Sequence, residues 1–291
     1  QANAGPDSLN IPSTSITLQA NEPVNGTGLW SILSGSGGSF VDSSVNNTLF
    51  TGQVGSAYTL VWTISNACGS SSDTVVIAFV VTSSYPTGYV HCNPANPTAI
   101  VDVTNPVTGR TWMDRNLGAS QAATSATDAN AYGDLYQWGR FADGHQCRNS
   151  ATTTTLSTTN QPGHGSFIRA PYSPWDWRSP QNNNLWQGVN GVNNPCPAGY
   201  RLPTEAELNA ERLSWSSNNS AGAYGSPLKL PLAGYRLRSN GSLLNVGSLG
   251  FYWSSSVSGT DSRSLYFYSS DAFMYSNLRA FGGSVRCTKD Y

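Results

Sequence analysis

No apolar run in this chain is longer than a β-strand. The longest, Val75 to Val81, is strand length, far short of the about 20 apolar residues a helix needs to cross a bilayer. The chain is therefore expected to lack a membrane-spanning helix and to fold as many short elements separated by turns. Charged residues make up only 11% of the chain, against about 25% in an ordinary soluble domain. Ser, Thr, Asn and Gly must then carry solubility, which fits a secreted protein better than a cytosolic one. Apolar content of 38%, with 9 Trp and 14 Tyr, separates the chain from disordered sequences. Its 291 residues suit two modest domains, each with its own core.

The chain begins at Gln1 with neither initiator Met nor signal peptide, and reads as a mature product of export. Its net charge of −1 hides a division: Lys and Arg are absent before Arg110. The first domain carries Asp7, Glu22, Asp42 and Asp73 without a cation, and so stands at −4. The remainder holds all 15 basic residues against 12 acids, giving +3. Two modules of opposite sign are expected to favour head-to-tail association of copies, although compositional drift explains the same numbers. Nucleic acid is not an expected partner, since no basic cluster exists and the only lysines are Lys229 and Lys289.

The five cysteines lack CxxC spacing, so zinc and thioredoxin-type chemistry are not indicated. In an exported protein they are disulfide material. The expected pairs are Cys196–Cys287 and Cys92–Cys147, with Cys68 free or bonded between chains. Closing the long 196–287 loop stabilises by about 4–5 kcal/mol in the chain-entropy view.

Residues 1–83 read as strands separated by turns. Ile16 and Leu18 alternate with Thr17 and Gln19, and Leu29 to Ile32 follow an Asn25-Gly26 turn signal. Tyr58, Leu60, Trp62 and Ile64 place one apolar face on a period-2 strand. Asp73 to Thr82 is nearly continuous in Val, Ile and Phe, as for a strand buried on both sides. Such spacing predicts a β-sandwich. The segment "YTLVWTISNACGSSSDTVVIAFV" resembles the last two strands of immunoglobulin-like PKD domains. The opening "ANAGPDSL" resembles the start of such repeats in surface proteins of Bacteroidetes-type bacteria. That resemblance implies a spacer or adhesion module. Asp7-Ser8-Leu9 and Asp73-Thr74-Val75 also fit the Asp-Ser/Thr-aliphatic pattern at which such bacteria O-glycosylate exported proteins, making Ser8 and Thr74 candidate sites.

Residues 84–89 form a linker in the Pro/Gly/Ser-rich stretch from Ser83 to Gly88. A second domain over 90–291 follows, with more Trp and longer Gly-rich loops. One helix signal stands out. Thr204 and Glu207 make a capping box, and the helix should run to about Leu213. Strands are expected at Thr98–Val103, Thr111–Asp114, Leu228–Arg236, Gly250–Ser255, Ser264–Tyr268 and Gly283–Thr288. Six ordered motifs, "NPVTGRTWMDRNLGA", "YGDLYQWGRFADGH", "CPAGYRLPTEAEL", "LPLAGYR", "GFYWSSS" and "GGSVRCTKD", make this domain similar to the Fibrobacter succinogenes major paralogous domain. That family of bacterial surface and secreted proteins resembles in turn the C-type-lectin-like and formylglycine-generating-enzyme fold. The resemblance implies an α+β, loop-rich domain whose terminal strand pairs near its start. The expected fold class is thus mainly β with some α: an immunoglobulin-like β-sandwich followed by a C-type-lectin-like domain.

Chemistry is sparse. The Glu-Pro-Asn and Trp-Asn-Asp motifs by which sugar-binding C-type lectins hold Ca²⁺ do not occur in the second domain. The nearest fragments are Asn21-Glu22-Pro23, in the first domain, and Trp175-Asp176-Trp177. His91, His145 and His164 are dispersed, with Asp143-Gly144-His145 read as a turn that holds its loop. Glu205, Glu207 and Glu211 share a helix, read as a cap and a solvated face rather than a hydrolytic pair. No catalytic residue, metal or cofactor is therefore expected. The strongest contact candidates are Tyr172, Trp175, Trp177 and Trp186, which either grip a sugar ring or protein partner or fill a core poor in regular structure. The expected protein is a non-catalytic structural or adhesive surface protein that assembles with copies of itself. Attachment to polysaccharide through an aromatic surface is the alternative.

Overall fold

The computed structural model describes residues 1–11, 13–80 and 84–290. Strands hold 31% of the chain and helices 6%, so the fold is mainly β. Two compact units divide it, Gln1–Thr82 and Ser83–Tyr291. Val81, Thr82 and Ser83, where one expected strand ends and the first domain gives way to the linker, lie outside the described residues.

The first unit contains β1 (Ser8–Ile11), β2 (Ser15–Thr17), β3 (Thr27–Ser34), β4 (Ser39–Phe40), β5 (Leu49–Thr51), β6 (Ala57–Asn66) and β7 (Gly69–Phe79). They form two sheets, ordered β1-β7-β6-β3 and β2-β5-β4. The long β6–β7 hairpin pairs Ala57 with Ala78 through to Asn66 with Gly69, and β1 joins β7 in parallel. Period-2 alternation turns Tyr58, Leu60 and Trp62 of β6 inward, where they meet Trp30, Phe50, Val75, Ile77 and Phe79. Gly28 is required for this packing, because a Cβ there would fall 2.1 Å from the Trp62 ring. The Val/Ile run of β7 is a correction to its sequence reading. Val75, Ile77 and Phe79 are buried, but Val76 and Ala78 are only half-buried. One face of the strand packs on the core and the other faces outward, as antiparallel sheets allow.

The second unit has short strands strung between long loops. They are β8 (Asp102–Thr104), β9 (Thr111–Met113), β10 (Tyr136–Gln137), β11 (Thr152–Thr153), β12 (Phe167–Ile168) and β13 (Tyr200–Arg201). Two helices follow, α1 (Glu205–Leu213) and α2 (Ser220–Gly225). The remainder comprises β14 (Tyr235–Arg236), β15 (Leu243–Leu244), β16 (Gly250–Ser258), β17 (Asp261–Phe267), β18 (Ala272–Asn277), β19 (Gly282–Gly283) and β20 (Thr288–Lys289). Sheets are ordered β13-β20-β9-β8, β10-β19-β14-β15 and β16-β17-β18, with β11 and β12 as a parallel pair. The last strand, β20, pairs with β9 near the start of the unit.

The capping box of α1 is formed, with Glu207 N–H donating to Thr204 Oγ1 and Thr204 N–H to Glu207 Oε2. Several sequence expectations are corrected. Leu228–Arg236 is strand only at Tyr235–Arg236; upstream, Leu228 and Leu230 are buried without ladder pairing and Pro231 lacks an N–H to give. Thr98–Val103 is strand only from Asp102, and Gly283–Thr288 divides between β19 and β20. The helix α2 was not foreseen, since Ser-Ala-Gly-Ala-Tyr-Gly has weak helix propensity. The Asn219 side chain supplies what propensity does not, accepting from the N–H groups of Ala221 and Gly222.

Loop carbonyls outside ladders need donors, and buried Arg and Trp side chains provide them. Arg286, 1% exposed, donates to Asn116 Oδ1 and to the carbonyls of Met113 and Leu228. Arg140 donates to the carbonyls of Ser166 and His164, and Arg236 to those of Cys147, Ser150 and Gly241. A guanidinium suits this role because it offers five donors on a rigid plane.

Candidate functional site

Disulfides Cys92–Cys147 and Cys196–Cys287 are formed, and Cys68 is a free, exposed thiol. Cys196 and Cys287 are buried, whereas Cys92 and Cys147 are half-buried. In the first unit, Ser8 is half-buried in β1 and Thr74 is exposed on β7.

The four aromatic candidates divide. Tyr172 is 81% exposed and Trp175 40%. Trp177 and Trp186 are fully buried, which removes them as contact candidates and matches the alternative that such rings fill the core. Their indole N–H groups donate to the carbonyls of Trp138 (2.7 Å) and Asn193 (3.0 Å), and Trp186 packs on Trp138 at 5.6 Å. Arg140 lies over Trp177 and Arg279 over Trp138. A loop-rich interior gains apolar area and a hydrogen-bond donor from each indole, which is why these rings are inside.

The histidine and carboxylates weighed for acid–base work are engaged in hydrogen bonds and ion pairs. His145 is wholly buried. Its Nε2 accepts from Gln137 N–H at 3.0 Å, which places the proton on Nδ1, 2.8 Å from Asp143 Oδ1. Burial, reinforced by Arg140, brings the imidazole down to about 4. Burial would raise the Asp143 carboxyl, but His145 and Arg140 outweigh it and hold it near 2. Glu205 pairs with Arg263 and Glu207 with Arg201 and Arg110. Glu211 corrects the expectation of a solvated helix face. It is fully buried and accepts from Asn105 Nδ2 at 2.6 Å and Trp215 Nε1 at 3.2 Å. Asp176 is buried 3.9 Å from Arg279, and burial pushes it up to about 6. A cavity of about 620 Å³ between the 84–87 segment, Phe141 and the 189–199 loop has no charged side chain in its lining.

The arrangement best suited to contact is an aromatic belt. Register places Phe251, Tyr266 and Phe273 in one row across β16, β17 and β18. Ring centroids lie 4.8 Å apart for Phe251–Tyr266 and 6.2 Å for Tyr266–Phe273, and Tyr275 joins Tyr266 at 5.8 Å and Phe273 at 6.0 Å. In the other direction Phe251 meets Tyr235 at 6.2 Å and Tyr235 meets Phe281 at 5.8 Å. Arg238 sits over Phe281. Phe251 is anchored in the core, and exposure grows toward β18, where Tyr275 is 53% exposed. β18 is the edge of its sheet among the described residues. Beside it α1 and β18 border a cleft of about 410 Å³, lined by Glu205, Asn209, Arg212 and Phe273.

Sequence reasoning missed this belt. The spacing of Phe273 and Tyr275 repeats that of Tyr266 and Tyr268, a period-2 signal for β18. That the two strands lie side by side is a matter of register, which spacing does not reveal.

No helix of the described residues is long and apolar enough to cross a membrane. No protein-family model matches the chain, and no curated protein matches it in sequence. Among solved structures, a chain described as "Solution structure of the PKD domain from KIAA 1837 protein" is similar at 23% identity. The match covers 29% of this chain and 90% of that one, with a TM-score of 0.26.

Proposed function

We propose that this is an exported, non-catalytic structural or adhesive surface protein that works by contact and assembles head to tail with copies of itself. The carrying observation is the aromatic belt, which runs from the core to a 53% exposed Tyr275 on β18, the edge strand of its sheet among the described residues. Unpaired edge N–H and C=O groups beside aromatic side chains favour docking of another chain, and buried aromatics dominate contact energies. Arg238 lies over the ring at one end of the belt, and Arg212 lines the cleft beside Phe273. Glu205 shares that cleft but is paired with Arg263, and the cations complement the first unit, which has four carboxylates and neither Lys nor Arg. Two disulfides suit an oxidising, extracellular compartment. The first unit is read as a PKD-type spacer and the second as a domain of the Fibrobacter succinogenes major paralogous kind, from a Bacteroidetes- or Fibrobacter-like bacterium. Modification at Thr74 or Ser8 would add sugar mass to the intact protein.

Electron microscopy and sedimentation of the full chain test this reading. Filaments or higher oligomers are expected, weaker at high salt and lost in Phe273→Ser/Tyr275→Ser. A monomer at all concentrations overturns it. Attachment to polysaccharide is the second reading, supported by the exposed Tyr172 and Trp175 rings. Glycan-array binding that disappears in Trp175→Ala would establish it, and an empty array would remove it.

A further inference from the structure

A separate cavity of about 270 Å³ in the second unit shares no residue with the aromatic belt. Asp134 and Arg148 line it, together with Asn93, Ser120, Asn130 and Asn149. Asp134 is 5% exposed, and its Oδ2 has no hydrogen-bond partner among the described residues. An orphaned buried acceptor is costly, and an ordered water or a bound ligand that donates to it removes that cost. The arrangement is built for that carboxyl: a Cβ on Gly118 would fall 2.2 Å from Asp134 Cγ. Arg148 is fixed through Nε to the Gly133 carbonyl at 2.7 Å and through Nη2 to the Ala233 carbonyl at 2.8 Å. Among the described residues its Nη1 is left to donate further. Asn93, Asn130 and Asn149 are exposed and form a rim of amides.

Asp134 and Arg148 are the only ionisable groups in this lining, so its charge sums to zero above about pH 7, where the buried Asp134 carboxyl is ionised. A cationic ligand would meet the guanidinium and an anionic one the carboxylate. A neutral ligand with adjacent hydroxyls meets neither penalty, because a hydroxyl both donates and accepts. The volume lies below the about 300–1,000 Å³ of drug-sized pockets, which limits the occupant to about one ring. We propose that this cavity binds a single neutral sugar residue, whose neighbouring hydroxyls donate to Asp134 and accept from Arg148 while the Asn rim holds the others. No metal takes part. The site is independent of the belt and of Trp175.

The test is saturation-transfer NMR on the full chain in EDTA, with methyl glycosides of neutral hexoses and N-acetylhexosamines at millimolar concentration. At least one is expected to bind, with affinity falling about tenfold or more in Asp134→Ala and in Asn130→Ala and unchanged in Val107→Ser. Asn130 is exposed, so its variant keeps the fold even if Asp134→Ala does not. Uronic acids and free amino sugars should bind about tenfold more weakly than their neutral counterparts. Absence of binding by every neutral glycoside, or a requirement for calcium, overturns the proposal. So does binding that survives both cavity variants yet is lost in Trp175→Ala, an outcome that would instead support the exposed aromatic surface.

Discussion

Asn105 and Glu211, 106 residues apart in sequence, meet in the interior of the second unit. Asn105 Nδ2 donates to Glu211 Oε2 over 2.6 Å, with both residues fully buried. Asn105 is in turn fixed by its own turn, accepting from Val107 N–H, and Glu211 by α1. The pair ties the β8–β9 turn to the helix.

Glu211→Leu removes the acceptor of both Asn105 and Trp215 while keeping volume and helix propensity. The variant should lose about 2–4 kcal/mol, read as a lower urea midpoint for the full chain by tryptophan emission. An unchanged midpoint would mean the contact contributes nothing.

The two disulfides should open in a fixed order. Loop separations of 55 and 91 residues give each bridge about 4–5 kcal/mol in the chain-entropy view, but their access to a reductant differs. Under mild reduction with alkylation and peptide mass analysis, Cys68 should label at once and Cys92 and Cys147 next. Cys196 and Cys287, 1% and 0% exposed, should label only on unfolding. Labelling of Cys196 and Cys287 ahead of Cys92 and Cys147 would contradict the packing described.

Neighbouring tryptophans should respond differently to truncation. Trp177→Ala leaves a cavity and frees the Trp138 carbonyl, at a cost of about 3–5 kcal/mol. Trp175→Ala should shift stability by less than about 1 kcal/mol. Thermal unfolding of the two variants side by side separates core from surface.

His145 and Asp134 titrate with opposite signs. His145 falls from 6.5 to about 4 on folding, so the unfolded chain binds more protons between those values. Its stabilising share is present above pH 6.5 and is lost as pH falls to 4, up to about 3 kcal/mol. Burial raises Asp134 from 3.8 to about 7, so the folded state holds the extra proton and its share is lost as pH rises from 4 to 7. Asp134→Asn should therefore be more stable than the parent at pH 8 and equal to it at pH 4. Denaturant unfolding at both values checks the difference, and NMR titration of the His145 ring should show a midpoint near 4.

Local patterns made much of this visible in advance. Thr204 and Glu207 announce α1 because a capping box needs only two side chains three positions apart. Tyr58, Leu60 and Trp62 announce the buried face of β6 because alternation is a property of the strand itself. Where the outcome depended on distant neighbours, the same reasoning went astray. Val76 and Ala78 look as apolar as the core positions beside them, yet only sheet packing decides which face is covered. Glu211 reads as a solvated acid until Asn105 and Trp215 arrive from elsewhere in the fold. Trp177 and Trp175 are two residues apart with the same side chain, and only the loop path buries one and exposes the other.

Composition and periodicity thus determined by themselves that this chain is strand-rich, lacks an apolar run of membrane-spanning length and is divided in charge between its two parts. Tertiary structure decided which aromatics touch. Phe251, Tyr266 and Phe273 come from three strands, and they align because backbone hydrogen bonds fix one register. It also decided that Asp134 Oδ2 is enclosed without a hydrogen-bond partner among the described residues, since burial is set by chain segments that sequence distance does not order.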